Sequence, residues 1–215
     1  MTVEEDWTVV PREGLGKLRF DMSPLQVDAL SDIYGAASGR VNDRIPDDIL
    51  RDTLEKFGNG MSVEEKQALI AMYAESGSSA DSTTETRGDP GLVLRYKADR
   101  LVEIMPAQKH RPLFFDGEDI LALSALEVLT LLERLNGGPG RYASIAAAFD
   151  KLAISLDGFC VTELATGVRT LDEADERFQE RTVTLRPTPY LPEGEMDKFV
   201  VHSFLGQQEG ARSAG

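Results

Sequence analysis

The sequence predicts an α+β fold, made of duplicated modules of helices packed on small antiparallel sheets, and three observations carry that expectation. The first is a helix-start signature written three times, as Ser23-Pro24-Leu25-Gln26, Ser62-Val63-Glu64-Glu65 and Ser124-Ala125-Leu126-Glu127. A serine three residues before Gln or Glu is a capping box: the serine oxygen accepts from the third helical amide while the longer side chain reaches back to the serine N–H. The second is the period-two alternation of Leu92, Leu94 and Tyr96 with Val93, Arg95 and Lys97, the pattern of a half-buried strand. The third is order, with helices grouped ahead of antiparallel hairpins in each half rather than alternating with single strands.

From the N-terminus, a short strand at Trp7–Val10 leads through a turn at 11–16 into a second strand at Leu18–Phe20. A helix over 24–34 follows, with Val27, Leu30, Ile33 and Tyr34 on one face and Gly35 past its end. The next helix spans 46–57 with an apolar stripe of Ile49, Leu50, Leu54 and Phe57. A third, over 63–74, is expected to bury Ala68, Leu69, Met72 and Tyr73. Residues 76–90 are Ser, Thr, Gly and Asp with no large apolar side chain, which predicts a flexible loop, open to trypsin at Arg87.

Strands at 92–96 and 101–105 joined through Ala98-Asp99-Arg100, then one at 112–115, form a meander ahead of a fourth helix at 125–135. The alanines of 142–149 suggest a short helix. Leu156-Asp157-Gly158-Phe159 reads as a two-residue hairpin, because Asp-Gly supplies the positive φ angles that a primed turn needs. Thr170 with Glu173 predicts a further capped helix to 179, and strands at 182–186 and 198–204 end the fold. The expected organisation is thus a helical half with the first strands at 1–75, the loop at 76–90, a sheet with helices at 91–205 and a disordered tail at 206–215.

Composition bounds function. Twenty-three basic against 37 acidic side chains give a net charge of -14, a field that repels nucleic-acid phosphates and anionic lipid and attracts a basic partner. The richest apolar run, 120–132, carries Ser124, Glu127 and Thr130, so no membrane span is expected. Residues 1–13 show no apolar signal region, which predicts a cytoplasmic protein. Cys160 is the single cysteine and His110 and His202 are the two histidines, which leaves no Cys- or His-based metal set. Cys160 reads as a buried structural thiol, and His110, between Lys109 and Arg111, as a loop residue whose charged form its neighbours disfavour.

Neither a phosphate-binding glycine loop nor a Gly-x-Ser-x-Gly elbow occurs. Two acidic clusters remain, Asp43, Asp47, Asp48 and Asp52 around the second helix, and Asp172, Glu173, Asp175 and Glu176 in the late one. Paired carboxylates could serve hydrolysis or hold a hard cation, but interleaved Arg44, Arg51, Lys56, Arg177 and Arg181 favour a solvated face of ion pairs. No catalytic residue, cofactor or metal is therefore expected.

Gly14-Leu15-Gly16-Lys17-Leu18-Arg19-Phe20-Asp21-Met22-Ser23-Pro24-Leu25-Gln26-Val27, ending at Gly35, resembles the opening of the module found in the β-lactamase inhibitory protein group. Outer-membrane assembly lipoproteins share its Phe-x-Met-Ser/Thr-x-x-x-Val start. The resemblance implies helices packed on an antiparallel sheet, two modules in tandem. Asp21 stands where that group usually has glycine, and no lipid-bearing cysteine precedes it, so a lipoprotein role is not implied. The chain also looks like immunity proteins found beside bacterial polymorphic toxins, which plug a toxin's active site. The expected function is a non-catalytic binding protein that neutralises a cognate basic toxin domain. The alternative is a small-molecule or metal-dependent enzyme built on the acidic clusters. Residue type and expected exposure name Asp47, Asp48, Asp52, Asp172, Asp175 and Glu176 as partner-binding acids, with Tyr34, Tyr73 and Tyr190 as aromatic anchors.

Overall fold

All three capping boxes form, and two of them open the equivalent helices of a repeated unit. The computed structural model describes residues 3–76, 81–88, 91–106, 111–163, 167–192 and 194–206. In chain order the first elements are α1 (Val3–Asp6), β1 (Val9–Val10), β2 (Gly14–Leu15), β3 (Leu18–Arg19), α2 (Pro24–Asp28), α3 (Ser31–Tyr34) and β4 (Ala37–Asn42). They continue as α4 (Asp47–Phe57), α5 (Val63–Ser76), β5 (Ser82–Gly88), β6 (Gly91–Lys97) and β7 (Arg100–Pro106). The second half holds β8 (Phe114–Phe115), β9 (Glu118–Asp119), α6 (Ala125–Asn136), β10 (Gly140–Ala143), β11 (Ala146–Phe149) and β12 (Ile154–Asp157). It ends with β13 (Cys160–Glu163), β14 (Gly167–Thr170), α7 (Glu176–Gln179), β15 (Thr182–Leu185), a 3-10 turn at Met196–Lys198 and β16 (Val200–His202).

At the start of α2 the Ser23 N–H donates to Gln26 Oε1 at 2.8 Å and Ser23 Oγ accepts from the Gln26 amide at 3.4 Å. Ser124 and Glu127 repeat this at α6, and Ser62 and Glu65 at α5. The Ser124 bonds hold the Glu127 carboxyl below its ordinary pKa.

Among the described residues the main sheet has nine strands in the order β16-β10-β11-β12-β15-β7-β6-β5-β4, all antiparallel. Each half repeats one path. A small hairpin (β2–β3 or β8–β9) is followed by a capped helix, then an outer strand (β4 or β10), then three strands stepping inward to β7 or β15. The equivalent inner strands pair with each other through Leu185 and Ile104, fusing what the sequence suggests are separate small sheets into one. The first half inserts α4–α5 after its outer strand, and the second inserts β13, β14 and α7 before its inner strand.

Register assigns the faces. Leu92, Leu94, Tyr96, Leu101, Ile104, Leu185, Ile154, Leu156, Ala147 and Tyr142 align on the inner face and are buried with Val27, Val128, Leu129 and Leu132 from the capped helices. The opposite face carries Thr84, Arg95, Glu103, Thr184, Ser155 and Ala148.

Several elements depart from expectation. The segment expected as a loop at 76–90 contains β5, in which Glu85 and Arg87 are fully buried, while 77–80 and 89–90 lie outside the described residues. Arg87 is anchored by charge rather than by apolar surface: its guanidinium contacts Glu85 and Asp28 and donates to the Gly35 carbonyl at 2.9 Å. Glu85 also accepts from Arg40, at 2.8 Å from its Nε, and from the Tyr96 hydroxyl at 3.3 Å. This cluster ties α2, the end of α3, β4, β5 and β6 together. The expected helix at 24–34 is broken after Asp28 into α2 and α3. Gly35 closes it at φ 81°, where a Cβ would strike the backbone of Gly88.

The alanines at 142–149 build a hairpin, β10–β11, because Ala147 and Phe149 fill the inner face beneath α6. Asp157-Gly158 does not join paired strands: β12 lies between β11 and β15, and the chain leaves the sheet at Gly158 to start β13. Thr170 belongs to β14 and α7 begins six residues later, behind Asp175. His110 and the tail from 207 lie outside the described residues.

Two predictions follow from these anchors. Ser124→Ala should cost about 1 kcal/mol in urea unfolding, as a lost N-cap does, and unchanged stability would remove the cap from the account. Arg87→Met should cost about 3 kcal/mol by removing one of the two guanidinium partners of the buried Glu85 and leaving Arg40 alone to compensate it. Adding Glu85→Gln should recover part of that loss, and trypsin should cut after Arg87 only once the chain unfolds.

Candidate partner-binding surface

Helix α4 is amphipathic by sequence, yet the α4–α5 hairpin buries none of its described side chains fully. Helix α4 forms because Asp47 and Asp48 in its first turn and Lys56 in its last complement the helix dipole, and Gly58 ends it. Its expected apolar stripe is divided: Leu50 and Leu54 are half-buried, while Ile49 is 53% exposed and Phe57 79%. On α5, Val63 is 65% and Met72 58% exposed, and Ala68 is exposed as well, contrary to the burial expected for that helix. The two helices leave a cleft of about 310 Å³ lined by Arg51, Leu54, Glu55, Val63, Lys66, Gln67 and Ile70. An apolar surface rimmed by charge is the composition of a docking site rather than of a solvated helix.

The expected site residues separate into distinct groups. Asp47, Asp48 and Asp52 are exposed on α4, with Asp47 3.0 Å from Arg44 and Asp52 2.6 Å from Lys56. Tyr73 faces the start of that helix, where its hydroxyl accepts from the Ile45 amide at 2.8 Å and Arg44 stacks 5.6 Å from its ring centroid. Tyr73 therefore fastens α5 to the entry of α4, and these four residues share one excursion. Asp172, Asp175 and Glu176 sit in the other. Asp172 accepts from the Ala174 amide, and Asp175 caps α7 through the Arg177 amide and pairs with the Arg177 side chain at 2.6 Å. That bond lowers the Asp175 carboxyl to about 2. The structure does not bring the two acidic groups onto one element.

Tyr34 is no anchor for a partner. It is buried, edge-on to Trp7, with its hydroxyl 3.0 Å from the Asp6 and Leu15 carbonyls and accepting from the Lys17 amide. Burial raises its pKa. Tyr190 is exposed on the outer sheet face, with the Arg186 guanidinium 4.7 Å from its ring centroid. Cys160 is buried, and burial pushes its thiol up to about 12, with a further contribution from Asp157. His202 packs edge-on against Tyr142 and Phe204. No group of three or more His, Cys, Asp or Glu side chains set to hold a metal occurs among the described residues.

Asp43, at the foot of the hairpin, turns inward. It accepts from the hydroxyls of Ser82 and Thr84 and lies 3.6 Å from Arg95 Nε. Burial alone would raise its pKa, but these partners outweigh it and the carboxyl is held below its ordinary value of 3.8. Sequence reasoning missed this pinning, and it missed the Arg95–Glu103–Arg186 chain on the outer face, at 3.2 and 2.7 Å. The available signal was the period-two run Thr84, Glu85, Thr86, Arg87, whose β-branched residues mark a strand.

No protein-family profile, curated protein or solved structure matches this chain. No helix among the described residues is long and apolar enough to cross a membrane.

Because the folded pKa of Asp43 is depressed, its contribution to stability is full above the unfolded value and is lost as pH falls through the folded one. Asp43→Asn should therefore lower stability at neutral pH and flatten its decline as pH falls towards 3.8 and below. The measurement is a series of urea midpoints for both proteins across that range, and parallel curves would refute the assignment.

Proposed function

We propose that this chain is a non-catalytic binding protein, most concretely an immunity protein that neutralises a cognate bacterial toxin in the cytoplasm by covering its active site. The carrying observation is the α4–α5 hairpin, which presents open apolar side chains within an acidic rim and is pinned at its base by Asp43. Asp47, Asp48 and Asp52 would face a basic rim on the toxin, and Ile49, Phe57, Val63 and Met72 would supply the desolvated centre that retains it. A net charge of -14 supports capture of a basic domain by long-range attraction and disfavours self-association through the same surface. The tandem path of capped helix and four strands agrees with the module order implied by the resemblance of 14–35.

The test is a binding study against the product of the adjacent gene. Association should slow about tenfold or more as salt rises to physiological strength, where the Debye length is about 8 Å, while dissociation changes little. Phe57→Ser with Met72→Ser should leave stability within about 0.5 kcal/mol, since both side chains are exposed, but speed dissociation tenfold or more. A wild-type off-rate in that double variant would remove the hairpin from the interface, and absence of binding would remove the immunity reading.

A further inference from the structure

The outer face of the second half contains a hollow of about 430 Å³ that neither the core nor the hairpin explains. Register builds its floor. Ala143, Ala146, Asp157 and Thr182 form one lateral row across β10, β11, β12 and β15, with Ala148 and Ser155 paired in the next. Alanine at three of these positions leaves the sheet surface low, while Tyr190 and Phe199, from the segment after β15, stand as walls. The cations around the hollow are already matched: Arg186 bonds Glu103 at 2.7 Å, Lys198 bonds Glu195 at 3.1 Å, and Arg141 bonds Asp150 at 2.6 Å. Asp157, half-buried on the floor, has no ion pair among the described residues and accepts a hydrogen bond from Thr182.

We infer that this hollow receives one lysine or arginine side chain of the partner protein, its stem lying over the alanines between Tyr190 and Phe199 and its cationic head on Asp157. The choice rests on the chemistry of the site. An alanine-floored slot in which Asp157 has no ion pair among the described residues fits a group with an aliphatic stem and a positive tip, the stem packing between the two aromatic rings. Burial raises the Asp157 carboxyl above its ordinary value, opposed by the Arg186 charge and the Thr182 hydrogen bond, and a cation placed against it would offset more of that desolvation. The inference rests on the binding-protein reading, but it concerns a surface separate from the α4–α5 hairpin.

The experiment uses the full chain and a probe in place of the toxin. N-acetyl-arginine amide and N-acetyl-lysine amide are titrated at low salt and followed by amide shifts in β11 and β12, with N-acetyl-norleucine amide and N-acetyl-glutamate amide as neutral and anionic controls. The cationic probes should move the amides of Ala146, Ala148 and Asp157 with millimolar affinity, and the controls should not. Asp157→Asn, which keeps the side-chain size and an oxygen for Thr182, should weaken the cationic probes about tenfold or more. Ala146→Leu, which fills the floor, should abolish the shifts; if that variant fails to fold, Asp157→Asn alone decides. No shift at these residues, equal binding of a control, or equal affinity in Asp157→Asn would each overturn the proposal. Probe binding without any toxin binding would leave the hollow standing and remove only the immunity reading.

Discussion

The two halves of this protein become one sheet at a single antiparallel seam, where β7 meets β15 with Leu185 opposite Ile104. Both side chains face the core, so the seam is sealed by apolar burial on the helix side. On the other side it is clamped by charge, with Glu103 of β7 held between Arg95 of β6 and Arg186 at the end of β15. Arg186 also donates to Ser155 of β12 at 2.6 Å, so the clamp reaches across four strands. Equivalent strands pairing antiparallel place a local two-fold axis through the seam. Without it each half would be a short sheet with an exposed inner edge, a ready template for unwanted strand pairing.

Within each half a buried carboxylate holds the capped helix, or the strands beside it, to the sheet, but the two halves solve its desolvation differently. Glu85 is neutralised by Arg40 and Arg87, and Arg87 in turn grips Asp28 at the end of α2. Glu133, buried on α6, accepts instead from the Tyr142 hydroxyl at 2.8 Å, the Ser203 hydroxyl at 2.7 Å and the Phe204 amide. Strong bonds to an ionised group in a low-dielectric interior specify one geometry closely, because any misfit leaves a charge unpaired. The Glu133 bonds also carry the chain past β16, fixing Phe204 against Tyr142 at 5.6 Å between ring centroids. Here the polar anchor decides where the last segment docks.

What was legible in the sequence was local. Capping boxes at Ser23, Ser62 and Ser124 depend on four consecutive residues, and the β6–β7 hairpin on a period-two run and its turn at Ala98-Asp99, where both φ angles are positive. What was hidden depends on distant partners. Strand β5 reads as a loop because its anchors, Glu85 and Arg87, are charged and find their counter-ions 45 and 59 residues away, at Arg40 and Asp28. The hairpin signal at Asp157-Gly158 was overridden because both edges of β12 are taken, by β11 and β15. Gly158 is still required, since a Cβ at its φ of 80° would meet the Arg177 carbonyl. Residue type names Asp47, Asp48, Asp52 and Tyr73, which the fold gathers at α4–α5, but it cannot separate them from Tyr34, whose hydroxyl is consumed by three backbone groups.

The division between core and insertions has a thermodynamic logic. The fused sheet, the two capped helices and the buried carboxylates carry the cooperative stability, and the hairpin adds little to it because none of its described side chains joins the core and Ile49, Phe57, Val63 and Met72 stay in water. A surface that contributes little to folding can keep apolar side chains exposed without lowering the stability of the fold, which leaves them available for desolvation by a partner. The pinning of Asp43 by Ser82, Thr84 and Arg95 limits the cost of that arrangement. A hairpin fixed at its base would lose less conformational freedom on binding than a free one, so under the proposed function more of the energy of covering Ile49, Phe57 and Met72 would appear as affinity. Acidic side chains around that patch also discourage two copies from meeting through the same apolar face, because like charges repel.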